Sequence, residues 1–315
     1  MRYSKEIEPY NKFWGNCILN MFLSILLSKD PTYEPLIYLN AYEYSDTLND
    51  IFHIDYTHEF YDYFRMNHFH FEPCTFMDKK DFLTELKNLL MKDDFYITLN
   101  VDLFDWNKAG AYYNKIHTPH FAFIIGFDEE EEIFYALEDD MSLNYDIREI
   151  PTENVIKAFF SDFKDNREDY RIITFKNNEL KPYTLDMNQL VLNAKKVIQS
   201  IEELLKQENI IDKNILEDMS NVYYYGNEFA KISNRMVGNE LLFEAMRNDE
   251  MLSETLINQL IARTNELSND WQLVRSVFLK YCKSNRLSEV ANVEKTMINH
   301  FIKEKEMWLT FIEPT

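Results

Sequence analysis

The chain has 315 residues, of which 46% are hydrophobic, and a formal net charge of −21 at pH 7. This length favours two domains, and the low counts of 5 glycines and 8 prolines argue against collagen-like or low-complexity sequence. Because so acidic a surface repels phosphate backbones and anionic lipids, we expect neither a nucleic-acid partner nor a membrane partner.

The first half of the sequence alternates between helical and strand patterns. An apolar run with helical spacing begins at Cys17, and residues 81–92 form a second predicted helix. A short helix follows Pro151. The aromatic-rich segment 40–75 has two interpretations. Its aromatic residues belong either to the core and surface of a long irregular segment, or to one wall of a substrate groove. Strands are predicted over residues 95–104, 120–127, 133–139 and 170–176.

Beyond about residue 185 the hydrophobic period is that of helices throughout. In the first of these helices, Leu190, Ala194 and Val197 share one face. The polar stretch 178–186 separates the two patterns. We therefore predict an α+β domain over residues 1–180, followed by an all-α domain over residues 185–315.

The cysteine content bears on the compartment. Cys17, Cys74 and Cys282 are odd in number and widely spaced, which fits free thiols in a reducing compartment better than a disulfide framework. The N-terminus lacks the charged-then-apolar pattern of a secretory signal, and no apolar run approaches the ~20 residues of a membrane span. We therefore predict a cytoplasmic protein.

Cys17 is the candidate nucleophile. It follows Gly15 and Asn16 where an apolar helix begins, and the free N–H groups of a helix N-terminus are expected to lower the thiol pKa. A thiolate there can attack an acyl carbon while its own N–H helps to bind the oxyanion. The alternative is a cysteine that only packs in the core.

His120 is the candidate base because it begins the strand over 120–127. Asp139 ends the next strand, and we expect both side chains to point the same way so that the carboxylate holds the imidazole tautomer. Asp140 competes for this role, although strand alternation gives it the opposite face. His117 is a rival base, but its position before the strand favours a loop role.

These residues recur in the motif pattern of a known family. Over about residues 10–178 the sequence resembles the butirosin biosynthesis protein H-like N-terminal domain, a papain-like relative of the bacteriocin-processing cysteine proteases. The matching features are Gly-Asn-Cys before an apolar helix at Cys17, an extended Val101–Asp102, His120 before an apolar strand, Gly126–Phe127–Asp128, and a strand ending at Asp139.

The resemblance implies a papain-like cysteine-protease fold with a triad of Cys17, His120 and Asp139. It also implies an acyltransferase or ATP-independent amide synthetase of secondary-metabolite biosynthesis, which moves an acyl group from a carrier-protein thioester to an amine without a cofactor. The papain family places a Gln six residues before the cysteine for the oxyanion hole. Asn11 occupies that position here, so Asn11 or Asn16 is expected to serve.

The sequence leaves several alternatives open. With water as the acceptor, the same residues would catalyse hydrolysis, as in a cysteine peptidase or amidase. If they catalyse no reaction, the chain would be a binding or scaffold protein of the same fold. Asp102 could line the substrate cleft or cap a turn. The acidic first half would attract a cationic acceptor such as a polyamine or aminosugar, whereas an acidic carrier protein would need a basic patch such as Lys79–Lys80.

A metal site is not predicted. His68 and His70 would share a face in a strand, and His58 is near them in sequence. A bound metal needs three or four converging ligands, so a structural role for these histidines is favoured.

Overall fold

The structure, a computed structural model, describes residues 1–48, 51–75, 81–110, 112–139, 145–163, 169–176 and 179–313. In these ranges the strands are β1 (Arg2–Ser4), β2 (Tyr42–Leu48), β3 (Ile51–Tyr56), β4 (Phe69–Cys74), β5 (Tyr96–Asp102), β6 (Pro119–Asp128), β7 (Ile133–Asp139), β8 (Tyr145–Pro151) and β9 (Tyr170–Phe175). The helices are α1 (Cys17–Leu27), α2 (His58–Asn67), α3 (Phe82–Leu90), α4 (Thr152–Phe159), α5 (Met187–Leu204), α6 (Met219–Asn248), α7 (Glu254–Lys283) and α8 (Val290–Ile312).

The chain divides into two compact units. The sheet unit contains residues 1–31 and 62–181, and the helical unit contains residues 32–61 and 182–315. The α+β class and the helical C-terminal region agree with the prediction. The organisation differs in one respect, because residues 32–61 belong to the helical unit and supply it with the hairpin of β2 and β3.

The sheet unit is built on an antiparallel sheet with the strand order β4, β9, β5, β6, β7, β8. Strand β1 pairs with β6 along the same edge as β5, beyond the first residues of β5. The four strands predicted in this unit are present, and β5 is buried along its whole length because both faces of the sheet are covered. The polar residues Thr98, Asn100 and Asp102, which alternate with apolar ones in this strand, are therefore buried as well.

Helices cover the two faces of the sheet. On one face, Phe82 of α3 stacks on Phe159 of α4 with ring centroids 4.2 Å apart, above the fully buried Trp106. On the other face, Phe22 of α1 contacts Phe69 and Phe71 of β4, at centroid distances of 5.2 and 5.6 Å. The start of α1 is thereby fixed against the sheet.

Gly126 allows β1 to approach β6 closely. The pairing of β6 with β7 shifts by one residue between Ile124 and Gly126, and Gly126 lies opposite Ser4 of β1. A Cβ atom at position 126 would overlap the backbone oxygen of Tyr3 and would lie 2.7 Å from Ser4 Cα. Only glycine fits here without moving the β1 backbone.

The helical unit packs α5 to α8 around the hairpin and encloses a buried carboxylate. Glu304 of α8 is fully buried and accepts hydrogen bonds from the hydroxyls of Tyr42 (2.6 Å) and Tyr44 (2.7 Å). Trp308 donates to the Tyr42 hydroxyl at 3.2 Å. Burial raises the pKa of Glu304 to about 7, although both tyrosine bonds oppose that shift. In the described ranges, no helix combines the length and apolar character needed to cross a membrane.

We expect Gly126→Ala to destabilise the protein by about 1–3 kcal/mol, because a rigid backbone would have to move to admit one methyl group. Urea denaturation would measure the loss. Gly226→Ala in α6 is the control. There the new Cβ meets the flexible side chain of Leu279 at 3.1 Å, and alanine favours a helix. Equal stability of Gly126→Ala and the wild type would contradict the expectation.

Glu304 should make stability fall as the pH rises. The folded-state pKa of Glu304, about 7, exceeds its ordinary value of 4.5, so between these pH values the native state keeps a proton that the unfolded chain has released. The contribution of Glu304 to the free energy of unfolding is therefore complete below about pH 4.5 and is lost as the pH rises through 7. We expect Glu304→Gln to be more stable than the wild type at pH 8, by on the order of 3 kcal/mol, and similar to it at pH 4.5. Urea titrations at both pH values would test this, with the exposed Glu306→Gln as control.

Candidate active site

Cys17 is the first residue of α1, as predicted. The side chain of Asn16 caps the helix by accepting a hydrogen bond from the Leu19 N–H at 2.9 Å. The Cys17 side chain is half-buried, and the backbone N–H groups of Cys17 and Ile18 act to lower the pKa of its thiol. The first N–H groups of the helix are therefore close enough to the sulfur to favour its charged form.

Asn20 organises the loop that leads to Cys17. Its fully buried side-chain amide donates to the carbonyls of Tyr10 (3.0 Å) and Phe13 (3.1 Å) and accepts from the Gly15 N–H (2.9 Å). Ser24, one turn later, accepts from the Tyr10 N–H. Sequence analysis did not identify these residues, although two polar side chains four residues apart on an apolar helix are a detectable signal.

A cavity of about 260 Å³ opens beside Cys17 within the sheet unit. Its floor is a row of side chains that pair across four strands, from β9 through β5 and β6 to β7. The row consists of Arg171, Thr98, Phe123 and Leu137. Cys17 and His120, at the start of β6, both border this cavity.

The thiol and the imidazole are both neutral at pH 7. Burial, followed by the charge of Asp139, raises the pKa of Cys17 to about 12, despite the two backbone N–H groups that lower it. Burial lowers the pKa of His120 to about 4. The expectation that the helix N-terminus would lower the thiol pKa is therefore wrong, because desolvation and a nearby carboxylate outweigh the helix. No hydrogen bond joins the His120 imidazole to Cys17 in the described ranges.

Asp139 ends β7 near the thiol rather than in a hydrogen bond with His120. Because Leu137 pairs with Phe123, Asp139 shares the sheet face of these two residues, whereas His120 shares the other face with Ala122. This register differs from the expected arrangement, in which both side chains point the same way. The competing Asp140 lies outside the described residues.

Asp102 caps a turn and does not border the cavity. Its carboxylate is fully buried and accepts from the Phe104 N–H (3.1 Å), the Thr118 N–H (3.1 Å) and the Ser161 hydroxyl (2.8 Å). It also contacts Nδ1 of His117 at 2.6 Å. These bonds occupy the carboxylate, so the predicted role in substrate binding is not supported and the turn-capping alternative is.

His117 is held in place more firmly than a simple loop residue. Besides its contact with Asp102, its ring stacks between Phe104 and Phe163, with centroid distances of 4.2 and 3.8 Å. It is partly exposed and is not among the described residues that border the cavity. The contacts of His117, the rival base, are therefore structural and lie away from the cavity.

The two candidate oxyanion amides are both engaged elsewhere. The Asn16 oxygen caps α1, and the Asn11 oxygen accepts from the Tyr145 N–H at 3.4 Å. Neither residue is among the described residues that border the cavity, whereas the N–H groups of Cys17 and Ile18 are close enough to the sulfur to lower its pKa. The backbone of the helix N-terminus is thus the better-placed oxyanion donor.

Three ionisable side chains at the cavity were not anticipated from the sequence. Arg65 and Arg171 border it, and so does Glu138, which is buried and accepts a hydrogen bond from the Trp106 indole. Burial raises the pKa of Glu138 to about 8. Only the fold could reveal them, since they come from three distant parts of the chain.

A scan against protein-family models finds no match to this sequence, and a search of curated proteins finds no relative. The papain-like resemblance therefore depends on the motif residues themselves, above all Cys17 at a helix start and His120 at a strand start.

We expect alkylation of Cys17 by iodoacetamide to accelerate about tenfold per pH unit between pH 7 and 10, because the thiolate fraction rises at that rate below a pKa of about 12. Asp139→Asn removes a negative charge that opposes thiolate formation, so its rate at pH 8 should be higher than that of the wild type. Peptide mass mapping would measure both rates, with the exposed Asp146→Asn as control. An unchanged or slower rate for Asp139→Asn would exclude its electrostatic effect.

Proposed function

We propose that this chain is a papain-like cysteine acyltransferase that forms amides from acyl thioesters without ATP. The observation that carries the proposal is the position of Cys17, which begins a helix and borders the same cavity as His120. An antiparallel sheet with the histidine at a strand start, beside a helix that begins with the cysteine, is compatible with a papain-like architecture.

The first half-reaction acylates the enzyme. The sulfur of Cys17 attacks the thioester carbonyl, and its proton passes to the His120 imidazole. The tetrahedral oxyanion is bound by the N–H groups of Cys17 and Ile18. Collapse of the intermediate breaks the carbon–sulfur bond of the donor, and the leaving thiolate takes the proton from His120. A free thiol departs and an acyl-Cys17 thioester remains.

The second half-reaction transfers the acyl group. A neutral amine attacks the acyl-Cys17 carbonyl, and His120 accepts the proton that the new carbon–nitrogen bond displaces. The bond to Cys17 then breaks, and the proton returns to the sulfur. The products are an amide and the free enzyme. No nucleotide enters the balance, because one thioester is exchanged for another and then for a more stable amide.

The neutral state of the site suits this chemistry. Since the pKa of Cys17 lies near 12 and that of His120 near 4, a preformed thiolate–imidazolium pair is disfavoured at pH 7. The proton must therefore leave the sulfur as the bond to carbon forms, which favours an activated acyl donor such as a thioester over an ordinary peptide. Substrate binding would also have to bring His120 within hydrogen-bonding reach, as often occurs when a complex forms.

The acceptor and the donor impose different demands on charge. An acidic protein favours the approach of a cationic amine such as a polyamine or aminosugar. An acidic carrier protein would need a basic docking surface, and the predicted patch at Lys79–Lys80 lies outside the described residues. We propose a cytoplasmic role in secondary-metabolite biosynthesis on the basis of the family resemblance.

Intact-mass spectrometry after incubation with acyl N-acetylcysteamine thioesters tests the proposal. We expect an acyl adduct on Cys17 that disappears on addition of a diamine, with formation of the amide. Cys17→Ala should give no adduct. His120→Ala should slow acylation by about 10²–10⁴-fold, the usual contribution of a general base. His117→Ala, checked for folding, is the matched control and should acylate at nearly the wild-type rate.

The same experiment separates the alternatives. Release of only the free acid in the presence of diamine would identify a hydrolase, the peptidase or amidase alternative. The absence of any adduct, together with Cys17 no more reactive than Cys282, would favour a non-catalytic scaffold.

A further inference from the structure

Two hydroxyl groups at the cavity beside Cys17 are buried without a hydrogen bond. Tyr145, the first residue of β8, is 1% exposed and borders the cavity, and its hydroxyl has no hydrogen-bond partner among the described residues. The hydroxyl of Thr98, on the cavity floor, is in the same situation. An unpaired buried donor costs free energy, and folded proteins contain few of them. Each hydroxyl therefore needs an acceptor that enters the cavity.

The sheet register turns Tyr145 towards the floor of the cavity. Tyr145 pairs with Asp139 at the end of β7, and Asp139 lies two residues after Leu137, which belongs to the floor. Paired residues share a face of the sheet, and side chains alternate along each strand. The Tyr145 side chain therefore projects on the same side as Leu137 and its partner Phe123.

The Tyr145 hydroxyl also lies near the sulfur of Cys17. Burial, followed by the charges of Cys17, Asp139 and Glu138, raises the pKa of the Tyr145 hydroxyl well above its ordinary value of 10.0. Because an electrostatic effect weakens with distance, the influence of Cys17 places the hydroxyl and the sulfur within range of each other. The hydroxyl keeps its proton at neutral pH and is a neutral donor there.

The chemistry at Cys17 requires such a donor. When the sulfur attacks a thioester, the carbonyl oxygen becomes an oxyanion, and this oxygen stands next to the sulfur to which its carbon is bonded. The carboxylate of Asp139 raises the pKa of Cys17, and the same negative charge would oppose an oxyanion beside the sulfur. A hydrogen bond from a neutral hydroxyl offsets part of this repulsion.

We propose that the Tyr145 hydroxyl donates a hydrogen bond to the oxyanion that forms when Cys17 attacks an acyl thioester. This inference rests on the proposed function. As the sulfur–carbon bond forms, the electron pair of the carbonyl π bond moves to the oxygen, which accepts from Tyr145. The pair returns when the donor thiolate leaves, and the tyrosine keeps its proton throughout.

Tyr145 thereby takes the role for which the sequence favoured Asn11 or Asn16. The Asn11 oxygen accepts from the Tyr145 N–H at 3.4 Å, at the start of β8. The residue at the oxyanion position of the papain family therefore contacts the backbone of the tyrosine, and the tyrosine reaches the reacting atoms.

The Tyr145→Phe variant tests the proposal, because it removes the hydroxyl and keeps the ring. We expect acylation of Cys17 by a butanoyl N-acetylcysteamine thioester to slow by about 10²–10³-fold, the usual effect of one oxyanion donor. The half-saturating thioester concentration should change little, since the bond is strongest in the transition state. Tyr135→Phe is the matched control and should acylate at the wild-type rate. Tyr135 is buried in β7 and is not among the described residues that border the cavity.

Two further measurements distinguish this role from a structural one. Alkylation of Cys17 by iodoacetamide forms a sulfur–carbon bond without an oxyanion, so its rate in Tyr145→Phe should stay within about threefold of the wild type. Removal of an unpaired buried hydroxyl should leave the urea midpoint unchanged or raise it, whereas the loss of a structural hydrogen bond would lower it.

Three outcomes would overturn the proposal. The first is acylation of Tyr145→Phe near the wild-type rate, or a loss of acylation that alkylation matches. The second is a lower urea midpoint or a failure to fold, because the hydroxyl would then have a structural partner. The third is slow acylation in Thr98→Val with an unchanged rate in Tyr145→Phe, which would assign the donor to Thr98.

Reversible addition of butanal separates this inference from the proposed function. The sulfur of Cys17 bonds to the aldehyde carbon and the thiol proton passes to the oxygen, so the hemithioacetal places an oxygen beside the sulfur without a leaving group. We expect protection of Cys17 from iodoacetamide to need about 2–10-fold more butanal in Tyr145→Phe than in the wild type, the value of one neutral hydrogen bond.

The two proposals then fail in different ways. If no thioester acylates Cys17 but the two proteins differ in protection by butanal, the acyltransferase proposal fails and the donor role of Tyr145 stands. If no thioester acylates Cys17 and protection is equal, both fail. If acylation proceeds and Tyr145→Phe matches the wild type, the donor role fails alone.

Discussion

Strand β6 is the element on which the candidate site depends. It pairs with β5 and β1 along one edge and with β7 along the other, so it fixes the register of three strands at once. That register places Thr98, Phe123 and Leu137 in one row and turns them towards the cavity. Gly126 permits the arrangement, because any larger residue would push β1 away from the β6 backbone.

The electrostatics of the site follow from burial more than from individual charges. Desolvation is the largest cause of the shifts at Cys17, His120 and Glu138, and in each case it favours the neutral form. The helix N-terminus contributes two N–H donors to the sulfur but does not reverse this balance. Under the proposed function, a thiol and an imidazole that are neutral and buried would keep a reactive thioester away from water, as transfer to an amine requires.

Sequence reasoning predicted the features that local patterns determine. The start of α1 at Cys17 and the strands that contain His120 and Asp139 follow from apolar periodicity over a few residues. The relative orientation of the His120 and Asp139 side chains does not follow from such local patterns. It depends on how many residues separate each of them from the paired positions Phe123 and Leu137. The pKa of Cys17 could not be predicted either, since the packing that buries it comes from residues distant in sequence.

The same limit explains the residues that were missed. The position of Arg171 at the cavity becomes visible only when β9 is placed beside β5, and Asp102 can be recognised as a turn cap only when His117 and Ser161 are seen around it. The segment that contains β2 and β3 was expected in the first domain because it precedes the strands of the sheet unit. Its aromatic side chains pack with helices that come more than a hundred residues later, and no local pattern encodes such a partner.

The division of the helical unit into two segments has a consequence for biosynthesis. The hairpin of β2 and β3 leaves the ribosome long before α8, which supplies the carboxylate that Tyr42 and Tyr44 bind. During the intervening synthesis these tyrosines lack Glu304 and must stay in water or in transient contacts. The nascent chain therefore carries an unfinished hairpin through translation of residues 62–181 of the sheet unit, and the helical unit can close only when the last helix has emerged.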